Sequence, residues 1–238
     1  DDTGVHIATM DPNGKNVRQL TRGEGVQEVP RWSPDGRWIT FDASTLSPGE
    51  PGFHTDIWVM HADGSGARQL TRGGFDVEPT VSPDGTRIAF ARIVRDAEVP
   101  HEALYVMRSD GTQLREVVPA TLGLEHPDWS ADGRWILYNL SPSAPGAAIM
   151  AVHPDGTGRH TVRRSDARFE LFKPVSSPDG TTILLGCYEV RAQTDRLCMM
   201  TAGGRHLRVV IATPENVNFP AWGPRPSRPG AAMGGRDL

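Results

Sequence analysis

The chain has 238 residues and a formal net charge of −4. It is long enough to bury a core without help from disulfides or metals, and it lacks the basic balance of a nucleic-acid binder. Its 26 glycines, 20 prolines and 7% aromatics suit many turns and short strands rather than long helices, and no apolar run approaches the roughly 20 residues that span a bilayer. From the N-terminus, "VHIATM" from Val5 and "VRQLT" from Val17 read as two short strands around a turn that ends at Gly14. Next comes a unit of four strands, a to d: "PRWS" from Pro30, "RWITFDA" from Arg37, "DIWVM" from Asp56 and "ARQLT" from Ala67. Apolar side chains fall at every second position of b and c, the period of a strand. Three more such units start near Pro79, Pro127 and Pro174, and a last strand a, "FPAWGPRP", follows from Phe219.

The links inside each unit are written in turn chemistry. Strands a and b are joined by "SPDG" or "SADG", with the aspartate at Asp35, Asp84, Asp132 and Asp179, in steps of 49, 48 and 47 residues. Proline presets φ, aspartate bonds the neighbouring backbone, and glycine takes the positive φ that closes the turn. Strands c and d are joined by a turn whose last glycine is Gly14, Gly64, Gly111, Gly156 or Gly204. Four antiparallel strands repeated at this period fit the blades of a β-propeller.

The phrase "P-x-W-S-P-D-G-x-x-I-x-F … I-W-V-M-x-x-D-G-x-x-x-R-Q-L-T" resembles the blade repeat of TolB-type propellers, from about Val5 to Pro224. Proteins carrying that repeat include periplasmic scaffolds, sugar-lyase-like enzymes and the propeller halves of peptidases. The expected fold is therefore all-β: a five-bladed propeller of four-stranded antiparallel blades, closed by strands from both termini. The propeller domain would occupy residues 1–226, with a tail at 227–238. The alternative is six blades, the commoner number in the family, with one unit lying upstream. The first residue is Asp rather than Met, so the chain is expected to be trimmed or excised from a longer one. Strand b of the fifth blade is not evident in the sequence. Cys187 and Cys198 sit on neighbouring strands, which leaves two readings: a cross-strand disulfide suited to an oxidising compartment, or two buried thiols packed as small hydrophobes.

Because adjacent strands reverse, the a–b and c–d turns share one rim and the long, irregular b–c and d–a connections share the other. Binding lives on such variable connections. The d–a connections feed the innermost strands, and their last residues, Glu28, Glu78, Glu125 with His126, Phe172 with Lys173, and Asn218, with Glu170 a little further out, are expected to ring the channel mouth. His54 and His101 occupy matching places in two b–c connections. Carboxylates and imidazoles around a concave mouth suit a divalent cation or a small cationic or sugar ligand. For each residue the bland alternative is a solvated loop side chain. The tryptophans recur at fixed repeat positions, which argues for packing between blades.

No phosphate loop, zinc-peptidase helix or Gly-x-Ser-x-Gly elbow is present, and no nucleophile is found beside its base. The favoured function is thus a monomeric, non-catalytic scaffold, periplasmic or secreted, that takes a protein partner or a small cationic or sugar ligand through its long-loop face. The alternative is a metal- or carboxylate-dependent enzyme, lyase- or glycosidase-like, working through Glu28, Glu78 and Glu125, with the paired carboxylates that glycoside hydrolysis uses. A third reading makes the chain the propeller part of a larger protein.

Overall fold

A computed structural model describes residues 4–46, 53–95, 99–141, 144–211 and 220–222. Asn218 lies outside these residues. The described residues hold no helix, and no helix is long and apolar enough to cross a membrane. Four antiparallel sheets follow one another along the chain, each in the order a-b-c-d. The first contains β4 (Gly25–Trp32), β5 (Trp38–Leu46), β6 (Phe53–His61) and β7 (Arg68–Gln69). The second contains β8 (Asp76–Val81), β9 (Arg87–Val94), β10 (His101–Arg108) and β11 (Arg115–Thr121). The third contains β12 (Leu124–Trp129), β13 (Ile136–Leu140), β14 (Ala148–Val152) and β15 (His160–Arg164). The fourth contains β16 (Phe169–Ser176), β17 (Thr182–Glu189), β18 (Thr194–Thr201) and β19 (Arg208–Ile211). Ahead of them, β1 (Gly4–Val5) pairs in parallel with the start of β4, and β2 (Ala8–Thr9) pairs with β3 (Arg18–Gln19).

The tight turns are copies of one network. In each a–b turn the serine hydroxyl donates to the aspartate Oδ1 two residues on, at 2.6, 2.5, 2.6 and 2.6 Å for Ser33, Ser82, Ser130 and Ser177. The same serine oxygen accepts the first amide of strand b, from Trp38, Arg87, Trp135 and Thr182. Hydrogen bonding to the ionised form holds the Asp35, Asp84 and Asp132 carboxyls below the usual range. These aspartates are turn formers, and the turn glycines Gly36, Gly85, Gly133 and Gly180 take φ of 66 to 71°.

The core lies between sheets rather than inside any one of them. Ile57, Ile88, Phe90 and Met107 pack the first sheet on the second. Leu104, Val118, Trp129, Ile136 and Tyr138 pack the second on the third, and Leu137, Ile149, Leu171, Ile183 and Leu185 pack the third on the fourth. Ile7 and Leu20, from the N-terminal segment, pack on Ile39, Phe41 and Met60 of the first sheet. The segment thus occupies the place of a preceding blade's outer strands. Its local bonds repeat as well: the Ile7 amide donates to Thr21 Oγ1 as the Ile57 amide donates to Thr71 Oγ1. Arginines on strand d stitch each unit to the next turn. Arg18, Arg68 and Arg115 donate to the carbonyls of Asp63, Asp110 and Pro154. At the other end the Trp222 indole donates to the Val175 carbonyl, as the Trp129 indole donates to that of Thr80. Residues 220–222 therefore stand beside the fourth sheet at the place of a further strand a, without strand pairing of their own among the described residues. Cys187 and Cys198, on β17 and β18, are paired as a disulfide.

Candidate functional site

The innermost strands begin earlier than their sequence suggests. β4 starts at Gly25 rather than Pro30, and β8, β12 and β16 likewise start several residues before their prolines. Each then breaks register once, between Glu28 and Arg31, Val77 and Thr80, Glu125 and Asp128, and Phe172 and Val175. The proline removes one ladder donor and keeps the residue before it out of the right-handed helical region, so the strand bulges. The residue before each proline, Val29, Glu78, His126 and Lys173, takes the left-handed conformation, with φ of 48, 58, 56 and 51°. For a residue with a Cβ this costs about 1–2 kcal/mol each, and bulges of this kind re-aim side chains. Here they turn four chemically different residues, from four sheets, onto one axial cavity of about 20 Å³, which Arg31 and Asp128 also line.

At Glu78, His126 and Lys173 the strain is offset by a hydrogen bond to the re-aimed amide from the sheet before. The Glu78 amide donates to Asp42 Oδ2 at 2.8 Å and the Lys173 amide to Asn139 Oδ1 at 3.1 Å. Asp42 and Asn139 hold the same place on strand b, opposite Glu28 and Glu125. The second sheet has Ala91 there, opposite Val77, with no acceptor to offer. The His126 amide instead donates to Glu78 Oε2 at 2.7 Å, while His126 Nδ1 lies 2.9 Å from Glu78 Oε1. Glu78 thus grips His126 with both oxygens. Burial raises its carboxyl, but the hydrogen bonds and charge of His126 outweigh that, and the group ends below the usual range.

Three other groups are held away from their ordinary values. Burial pushes the Asp42 carboxyl up to about 7, with the Glu28 and Glu78 charges adding to it and the Glu78 amide opposing. Burial pushes Asp128 up to about 6, against the Ser176 amide and the Arg31 charge. Burial also lowers the Lys173 ammonium, against the pull of Glu78, Glu125 and Asp195. Asp128 and Lys173 line the same cavity, and Asp42 is tied to it through the Glu78 amide; perturbed groups gathered in this way are of the kind that functional sites show.

The expected ring of carboxylates is therefore only partly assembled. Glu78 and His126 meet at the axis. Glu125 is half-buried and accepts from the Asn139 amide group at 3.1 Å, and Glu28 is exposed beside Asp42. Glu170 pairs with Tyr188 at the far end of β16 and does not line the cavity. All five lie inside strands rather than in connections, because the ladder resumes upstream of each bulge. His54 and His101 also lie in strands, β6 and β10, third from the axis. The His54 ring sits 5.7 Å from that of Phe75, apart from the axial cluster. The rim is not purely acidic, since Arg31 and Lys173 share the cavity. Among the described residues no three His, Cys, Asp or Glu side chains converge as metal ligands, so the expected cation site finds no ligand set there. Lys173 was expected at the mouth and lines the cavity, whereas Asp42, Arg31, Asp128 and Asn139 were not among the expected site residues. Arg31 and Asp128 directly follow the repeated prolines, and Asp42 and Asn139 hold the strand-b position opposite Glu28 and Glu125.

Repeated four-stranded sheets packed face to face, with inner strands around a polar axis and long connections at one rim, are those of a β-propeller protein. The chain belongs to the TolB beta-propeller domain family, whose pattern matches residues 45–226. It is 31% identical over 142 residues to the uncharacterized protein Atu1656 of Agrobacterium fabrum, covering 56% of this chain and 46% of that one. It is 25% identical over 183 residues to a TolB homolog of Chlorobium luteolum, covering 61% and 41%. Thus the match spans less than half the length of either of these curated relatives. The fold superposes on TolB from Acinetobacter baumannii with a TM-score of 0.70 at 14% identity, covering 87% of this chain and 48% of that one. It superposes on an oligogalacturonate lyase in complex with manganese with a TM-score of 0.65 at 15% identity, covering 89% and 60%. At these identities the likeness is one of fold.

Proposed function

We propose that this chain is an extracytoplasmic binding scaffold that takes a protein partner on its long-connection face, with the axial cluster as the anchoring point. The reading includes a five-bladed ring, its last blade shared between residues 220–222 and the N-terminal segment. The observation that carries it is the axial set Val29, Glu78, His126 and Lys173: equivalent positions, strained alike, yet chemically different. A purely structural position would tend to repeat one residue, as the tight turns do. Family membership supports the scaffold reading, and the Cys187–Cys198 disulfide supports an oxidising compartment. A photo-crosslinking residue at Glu125, compared with one at Asn13 in the exposed tight turn of the N-terminal segment, tests it in an extract of the source cells. The scaffold reading expects a discrete protein adduct from the first position alone, and equal adducts from both would refute it.

A second reading, a lyase- or glycosidase-like enzyme, draws support from Asp128, a carboxyl held near 6 beside Arg31, which suits a general acid or base. Turnover of acidic oligosaccharides that disappears in Asp128→Asn would favour it. No turnover by the native chain would remove it.

A further inference from the structure

On the tight-turn rim, away from the axial site, a groove of about 570 Å³ runs between the third and fourth sheets. A sister groove of about 580 Å³ lies between the first and second. Both are built on the same repeat positions. In the sister groove these are Asp35, Trp38, Val59 and Arg68; in the first they are Asp132, Trp135, Ala151 and His160. Behind each tryptophan is a c–d turn histidine, His61 or His153, and each of these fits because Gly66 or Gly158 has no Cβ to meet it. The His153 ring stacks on Trp135 at 3.7 Å, and the His160 ring stands edge-on to it at 4.9 Å.

The difference is the arginine. Arg68 lines the sister groove and donates across it to the Asp110 carbonyl at 3.3 Å. Arg18 and Arg115 make the same stitch at their junctions. At the third junction the position is His160, and the stitch has moved three residues on, to Arg163, which reaches the Gly204 carbonyl. The groove beside Trp135 therefore keeps the aromatic wall and has lost the guanidinium that its sister supplies from within. Among the described residues no lysine or arginine lines it. Its charged lining side chains are Asp132 and Asp179, from the a–b turns of the two sheets. The turn uses Asp132 Oδ1, and that carboxyl is held below the usual range by Ser130, so it is ionised at neutral pH.

We infer that this groove binds an arginine side chain of a protein partner, seated where Arg68 sits in the sister groove. The guanidinium would lie against the indole of Trp135 and pair with Asp132. The chemistry favours arginine over lysine, because a planar guanidinium stacks on an aromatic face and presents a fork to a carboxylate. A cavity of this size is in the range that takes a small ligand or a peptide side chain with its flanking backbone. The same molecule already contains such a seat: Arg92 lies over the Tyr105 ring at 4.5 Å and donates to both oxygens of Asp76 at 2.6 and 2.8 Å.

The test is a titration of the full chain with the peptide acetyl-Gly-Arg-Gly-Arg-Gly-amide, followed on the tryptophan indole N–H resonances, with that of Trp135 assigned from Trp135→Phe. We expect a saturable shift of the Trp135 signal, and affinity lower by about tenfold or more in Asp132→Asn, which keeps the turn's acceptor and loses the charge. His160→Arg, an exposed change that restores the internal arginine, should block the peptide, while Arg68→His should add a second site seen at Trp38. Equal binding to His160→Arg and the native chain would overturn the inference. So would the lack of any saturable shift, or equal affinity for the lysine version of the peptide.

Discussion

The two rims of this molecule are built from the same repeat and treat it in opposite ways. On the tight-turn rim, four serine–aspartate turns repeat the same bonds to within about 0.1 Å in the key contact. At the axis, four equivalent pre-proline residues share one strained backbone conformation and no common side chain. Where a repeat conserves both geometry and residue, the residue serves the geometry. Where it conserves geometry and varies the residue, the geometry serves as a mount for something else. The groove beside Trp135 lies on the conservative rim and follows the same logic, since it opens where one repeat position departs from its equivalents.

The comparison can be broken most severely at the frame. Trp129 is 4% exposed and ties the second and third sheets through its indole. Trp129→Ala should cost about 3–5 kcal/mol in chemical unfolding. Next is Gly204→Ala, where φ is 75° and a Cβ would overlap the Val162 carbonyl. We expect a loss of about 2 kcal/mol or more from strain and clash together. Asp84→Ala, which removes the acceptor for Ser82 and Thr86, should cost about 1–2 kcal/mol. None of these changes alters the chemistry of the axis, so any partner binding should persist wherever the chain stays folded.

At the axis the expected signature is pH dependence. Asp42 keeps its proton in the folded chain up to about 7, whereas the unfolded chain releases it near 4. Between those values the folded state binds more protons than the unfolded one, so this group's contribution to stability falls as pH rises and is fully lost above pH 7. Asp42→Asn keeps an acceptor for the Glu78 amide and cannot ionise. Its melting temperature should exceed the native value at pH 8, and the gap should narrow at pH 4.5. An unchanged pH profile would mean that Asp42 is not buried as described.

Most of the frame was legible in the sequence because turn chemistry and strand alternation are local. Proline, aspartate and glycine at fixed offsets gave the a–b turns, and period-two patterning gave b and c. The packing of the N-terminal pair on the first sheet follows from the same repeat, since Ile7 and Thr21 copy Ile57 and Thr71. The site was read less well. Glu78 and His126 were singled out as loop residues near one another, but the bulge that aims them depends on a proline and an acceptor one sheet away. That dependence is why Asp42 and Asn139 escaped notice: their role exists only once strands some 34 to 36 residues apart are adjacent. The matching repeat positions of His54 and His101 suggested a loop pair, whereas β6 and β10 extend to include them. The two cysteines could not be decided from spacing alone, because a pair of neighbouring strands suits a bridge or two packed thiols equally.

The central claim is that equivalent residues of different sheets are coupled into one axial cluster, with the Glu78–His126 contact as its clearest link. A double-mutant cycle in chemical unfolding, with Glu78→Gln, His126→Ala and the combined variant, measures this link directly. We expect the two changes to be non-additive by about 1 kcal/mol or more, because either one alone already loses the contact. Effects that sum to within about 0.3 kcal/mol would show the two residues to be independent, and the axial cluster would then be only a coincidence of position.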